Sequence, residues 1–188
     1  LTEVWRGAYS ELAFAVLNRL ADDNAEVRAR ARDASAVFLR DARVRGDVLT
    51  RLQAYVRNPR SVGQFEAALT LLAFAGDATA AWRFEAVLRD DYAALNALEP
   101  NAATRLRLRR IAAAALATTA RARSVDVLLA VVEDRATDDA LRRVADDSLM
   151  RFTNLVLPAR TKRPAERAAA YRAWWEKHAT QSRTAWLR

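Results

Sequence analysis

Cysteine is absent from this chain and histidine occurs once, as His178. Without cysteine there is no disulfide framework, no thiolate nucleophile and no cysteine-ligated metal. With one histidine there is no two-histidine zinc site within the chain. Glycine and proline number only 4 each in 188 residues, so few positions punctuate the chain. Long helices joined by brief connections follow from that scarcity. The glycines, Gly7, Gly46, Gly63 and Gly76, are isolated from one another and form no phosphate-cradling loop. Long apolar runs are missing too. The stretch from Ile111 to Ala120 falls short of the roughly 20 residues that span a bilayer. No cofactor, metal or catalytic constellation is expected from these residues, and the chain reads as a non-enzyme.

Hydrophobic residues make up 52% of the chain, much of that alanine, which lets helices approach closely without adding bulk. The length allows one domain, 1–188, with a continuous core. A formal charge of +8 raises the question of a polyanionic partner. Lysine occurs only at Lys162 and Lys177, so nearly all the cations are arginine, and 23 acidic residues are interleaved among them. That pattern is better read as solvated faces of mixed sign from a GC-rich coding bias. The chain begins at Leu1 rather than methionine, which leaves room for a leader or a further domain upstream. Any membrane association would come through such a segment or through a partner.

A repeat organises the chain. With Val27, Phe65, Leu108 and Leu141 as anchors, positions four, seven and eleven further on read Ala31, Ala34, Phe38; Leu69, Leu72, Gly76; Ala112, Ala115, Thr119; and Ala145, Ser148, Phe152. This spacing draws one small or apolar stripe down a helix face. Four residues before each anchor stand Asp23, Ser61, Thr104 and Thr137, all side chains suited to an N-cap. Glu26 and Gln64 follow the first two at capping-box spacing. A first helix precedes each of these second helices, over 11–20, 48–56, 79–88 and 124–132. The third link, Asp90 to Asn101, is longer than the others, and its second helix is expected to begin nearer Asn101. The repeats are therefore placed at about 8–40, 47–76, 79–120 and 123–153, with a C-terminal capping helix within 163–188. Such pairs cannot bury their apolar faces alone and stack into arrays.

The segments Asp23-Asn24-Ala25-Glu26-Val27-Arg28 and Asp138-Asp139-Ala140-Leu141-Arg142 resemble the second-helix signature of HEAT repeats, and Arg109 holds the same slot after Leu108. Arg151-Phe152-Thr153-Asn154, Arg167, Tyr171, Trp174-Trp175 and Trp186 are similar to the tryptophan-rich tail of certain bacterial HEAT-repeat proteins. Asn154 departs from the tail pattern, which has glycine there, and Tyr171 stands where tryptophan is usual. The resemblance implies a right-handed α-solenoid of about four helix pairs plus a capping helix. It also implies a scaffold role, and export or a periplasmic place, by analogy with those proteins.

Two groups of residues are candidates for function. Arg28, Arg32, Arg105, Arg109 and Arg142 form either a basic strip on the inner-helix face, able to clamp phosphates or carboxylates, or an inter-repeat ladder paired with acids such as Asp23, Glu66 and Asp138. The ladder is preferred, because repeat proteins need register devices. Tyr171, Trp174, Trp175 and Trp186 form either stacking platforms or a cap over the open end of the array, and the cap is preferred. Adjacent Trp174 and Trp175 diverge by about 100° on a helix, so one of them is left partly exposed. Trp5 and Trp82 read as packing, and the acidic pairs at 22–23, 90–91, 138–139 and 146–147 as caps and solvated faces. The expected function is a non-enzymatic protein-binding scaffold or assembly subunit that docks another protein on its inner helices or its tryptophan-rich end. A nucleic-acid-binding protein, related to the DNA-repair glycosylases of HEAT-like fold, is the alternative.

Overall fold

The computed structural model describes residues 2–119, 121–155 and 163–181. Among these residues the regular structure is entirely helical. The chain divides into two compact units, residues 1–77 with 92–101, and residues 78–91 with 102–188.

The first unit holds α1 (Thr2–Asn18), α2 (Ala25–Arg40), α3 (Arg45–Arg57) and α4 (Val62–Ala75), with a 3-10 turn at Arg19–Ala21. The first helices α1 and α3 lie against each other, and so do the second helices α2 and α4; each first helix also packs on its own second helix. In α3, the i, i+4, i+8 residues Val48, Leu52 and Val56 are wholly buried. Their burial stabilises the unit by roughly 1.5–3 kcal/mol each, before the entropy of ordering them is counted. From α2, Phe38 meets the edge of Tyr9, with ring centroids 5.3 Å apart. At the end of α4, Gly76 takes the left-handed conformation (φ 62°), and its N–H reaches the Ala73 and Leu72 carbonyls. A Cβ there would meet nothing within 4 Å, so backbone conformation rather than space calls for glycine.

Residues 92–101 belong to this unit, with the buried Tyr92 just before the short helix α6 (Ala93–Asn96) and the buried Leu95 within it. Tyr92 packs its ring on Phe65 at 5.7 Å and donates its hydroxyl to the Val56 carbonyl at 3.2 Å. Asp90 (φ 60°) and Glu99 (φ 48°), both in left-handed conformations uncommon outside glycine, bracket the excursion.

The second unit contains a 3-10 turn (Ala78–Ala80), α5 (Ala81–Leu88), α7 (Ala102–Thr119), α8 (Ala122–Glu133), α9 (Asp139–Thr153) and α10 (Pro164–His178). Here α5 and α8 are neighbours, α7 and α9 are neighbours, and α5 packs on α7 as α8 packs on α9. The arrangement within each unit is therefore two helix pairs laid side by side. The stripe read from the sequence is buried at Phe65, Leu69, Leu72, Leu108, Ala112, Leu141, Ala145 and Phe152. Val27 is only half-buried. Between α5 and α8, the buried Glu85 accepts from the Ser124 hydroxyl at 2.6 Å, and Ser124 in turn accepts from the Arg121 N–H.

Helix starts depart from expectation by a residue or two. Asn24, not Asp23, caps α2 by accepting from the Glu26 N–H, while Asp22 accepts from the Asn24 N–H. Asp138, not Thr137, caps α9, accepting from Ala140 and Leu141. Ser61 caps α4 as expected, but Gln64 turns its side-chain oxygen to the Arg60 N–H. Thr104 lies inside α7, which begins at Ala102. In both runs the residue directly before the first helical residue takes the role. Asn154 ends α9 in the left-handed conformation (φ 54°), which asparagine tolerates better than most residues.

Candidate functional site

The anchor arginines grip backbone carbonyls rather than acids of a neighbouring repeat. Arg28 directs Nη1 to the carbonyls of Asp22 and Asp23, both at 2.7 Å. Arg109 donates from Nε to Leu88 O at 2.8 Å. Arg142 spreads Nη2 over the carbonyls of Asp134, Arg135 and Thr137, the shortest at 2.7 Å, and adds Asp139 through Nη1 at 2.5 Å. Each reaches back from a second helix to the end of its own first helix or to the link that follows. The link carbonyls lie outside the helices and lack an intrahelical partner, so a charged donor satisfies them, and Leu88 O, at the end of α5, also sits at the negative end of a helix dipole. Arg28 also lies over Gly63 of α4, where a Cβ would come within 2.7 Å of Nε. Arg45 does the same for Leu39 O and Ala75 O, at 2.8 and 2.6 Å, a role not read from the sequence.

The remaining members of the proposed strip are placed differently. Arg105 pairs with Asp90 at 2.9 Å, and the half-exposed Arg32 pairs with its neighbour Asp33 at 3.3 Å. The link from α7 to the acidic start of α9 is made by Arg110, which meets Asp138 at 2.9 Å. That contact, followed by the Leu141 N–H, holds the Asp138 carboxyl below its ordinary range. Arg28 and Arg32 belong to the first unit; Arg105, Arg109 and Arg142 belong to the second.

The aromatic end is built on α10, which packs on α8 and α9. Tyr171 is wholly buried and Trp175 nearly so, along with Ala168 and Arg167 on the same face. Trp174 is half-exposed. It stacks on Trp175 at 6.3 Å and on His178 at 4.4 Å. The His178 Nδ1 lies 2.6 Å from Trp174 O, and a carbonyl only accepts, so Nδ1 carries the proton. Trp186 lies outside the described residues.

Two arginines fasten α10. Arg167 binds Asp146 of α9 through Nε at 2.9 Å and Nη2 at 2.5 Å, while Arg172 holds both oxygens of Glu133 at 2.8–2.9 Å. The carboxylate of Asp146 raises the pKa of Arg167 still further. Burial, and then the charge of Asp146, pushes the Tyr171 phenol well above its usual value, so it stays neutral. The Arg167 Nη1 is buried and has no acceptor. A charged donor left so costs about 1–3 kcal/mol or more.

Beside this helix lies a cleft of about 420 Å³, with apolar walls from Val132, Met150 and Pro164, lined also by Arg143, Asp147 and Arg167. Its size falls in the range of small-ligand pockets. Among the described residues, no group of three or more histidines and acids is placed to hold a metal. The acidic pairs serve locally instead: Asp22 and Asp138 at helix starts, Asp90, Asp91, Asp139 and Asp146 on arginines. No helix among the described residues is long and apolar enough to cross a membrane. Comparison with family models, with curated proteins and with solved structures found no match for the chain.

Proposed function

We propose that this chain is a non-enzymatic, HEAT-type helical-repeat module, a right-handed α-solenoid closed by α10, that binds another protein through its second helices. The reading is supported by the way each unit sets first helix beside first helix and second beside second. One surface observation carries it furthest. On the second helices of the first unit, Phe74 is 50% exposed, with the Arg40 guanidinium 5.2 Å above its ring. Arginine and large aromatics are the residues that dominate binding energy at protein interfaces. The anchor arginines, by contrast, are engaged with carbonyls, which weakens a phosphate-clamping role for them.

The test is capture from the source organism's fractions, with wild type and a Phe74→Asp/Arg40→Glu double variant as baits. A protein retained by wild type and lost by the folded variant is the expected result. Recovery of nucleic acid instead, released by moderate salt, overturns the reading.

A further inference from the structure

We propose that the Phe74–Arg40 surface of the first unit takes an acidic amphipathic segment of another protein, one that presents a carboxylate between apolar side chains. This rests on the docking surface above and names the chemistry of what docks there. Of the exposed large apolar side chains, Leu12, Val37, Phe74 and Trp82, Phe74 alone has an exposed cation over its ring among the described residues. The cation over Trp82 is Arg83, which is only 5% exposed. Arg40 is exposed, and none of its N–H groups donates to a described residue. It makes no ion pair with a described carboxylate, and the neighbouring Asp41 is held by Arg43 at 2.6 Å. A guanidinium so placed is open to a carboxylate from outside.

The surface is held ready. Arg45, at the start of α3, donates to Leu39 O near the end of α2 at 2.8 Å and to Ala75 O at the end of α4 at 2.6 Å. Leu39 directly precedes Arg40 and Ala75 directly follows Phe74, so one guanidinium ties together the two helix ends that carry the pair. Little backbone freedom is left for a partner to remove, which is the advantage of preorganisation. Val37 is 57% exposed and stands three residues before Arg40 on α2, and residues three apart are neighbours on a helix surface. Arg40 therefore has two exposed apolar neighbours, Val37 on its own helix and the Phe74 ring beneath it. A lone guanidinium in such surroundings calls for one carboxylate with apolar groups beside it. A nucleic-acid backbone, charged at every nucleotide, offers nothing apolar to Val37 and Phe74.

Two capped helical peptides are titrated into the full chain, one with leucines along one face and glutamates beside them, the other with glutamine at each glutamate. The readouts are fluorescence anisotropy of the labelled peptides and the Phe74 ring signals by NMR. The glutamate peptide is expected to bind about tenfold more tightly, since one charge-assisted contact separates the two. In Arg40→Gln that preference should vanish, whereas Phe74→Ala should weaken both peptides alike. Arg40 is exposed and hydrogen-bonds to no described residue, so Arg40→Gln keeps its fold, which thermal melting checks. Equal binding of the two peptides that still weakens with Phe74→Ala overturns the carboxylate and leaves the docking surface standing. No binding at millimolar peptide, or a preference that survives Arg40→Gln, also overturns the assignment, and the capture experiment above then decides the docking surface by itself.

Discussion

Arginine does most of the polar work in this molecule, and the same residue type is used in three ways. Arg28, Arg109 and Arg142 close the links of their own helix pairs by gripping carbonyls. Arg167 and Arg172 fasten one helix to two others through carboxylates. Arg40 stands over the exposed ring of Phe74. The spacing of the anchor arginines was legible in the sequence, but their acceptors were not. Every residue supplies a carbonyl, so nothing in the residue types distinguishes a link carbonyl from the carboxylates of Asp23 or Asp138. Asp41 offers a check at this scale. The Arg43 side chain, and then the Arg43 backbone N–H, hold its carboxyl down to about 2 from 3.8. A depressed acid contributes stability that is present above its unfolded value and lost as the pH falls through its folded one. A carboxyl-carbon NMR titration should therefore find Asp41 midway at about pH 2, rising in Arg43→Ala but staying below the ordinary range, because alanine keeps the backbone N–H. A midpoint near 3.8 in the unaltered chain would remove the Asp41–Arg43 pair from the account.

Helices were the most legible elements, because their stripes repeat and glycine and proline are nearly absent from their interiors. Their ends were less so. In Asp22-Asp23-Asn24 and in Thr137-Asp138 several residues of capping type adjoin, so residue type alone does not say which of them takes the cap. The long third link was visible as an irregularity, and α7 does begin at Ala102. Its attachment to the first unit through Tyr92 was not visible, since Asp90 and Glu99 turn the chain at positive φ without a glycine to mark the place. The packing face of α10 could be read from Ala168, Tyr171 and Trp175, yet the Arg167–Asp146 pair could not, being 21 residues apart on different helices. If α10 is held chiefly by burial, Tyr171→Ala should cost about 3–5 kcal/mol in urea unfolding. Tyr171→Phe should cost less than about 1 kcal/mol, because its hydroxyl reaches Asp146 O only at a marginal 3.4 Å. Equal costs for the two would mean the hydroxyl, not the ring, secures the helix.

At the scale of the molecule, two units each built from two side-by-side helix pairs are what a chain rich in alanine and poor in glycine and proline can make without disulfides. The division into units was not read from the sequence, where the repeat runs on through both. The account stands on the anchor arginines being structural, which leaves other surfaces for binding. The most direct test is the thermal melting of an Arg28→Gln/Arg109→Gln/Arg142→Gln variant beside a charge-matched Arg30→Gln/Arg32→Gln/Arg151→Gln control. Each lost grip should cost about 1 kcal/mol, and the sites lie in separate links, so the effects should add. A melting point lower by about 6–12 °C in the anchor variant, with the control unchanged, is the predicted result. An anchor variant that melts with the control would contradict the account and return Arg28, Arg109 and Arg142 to the role of a ligand-binding strip.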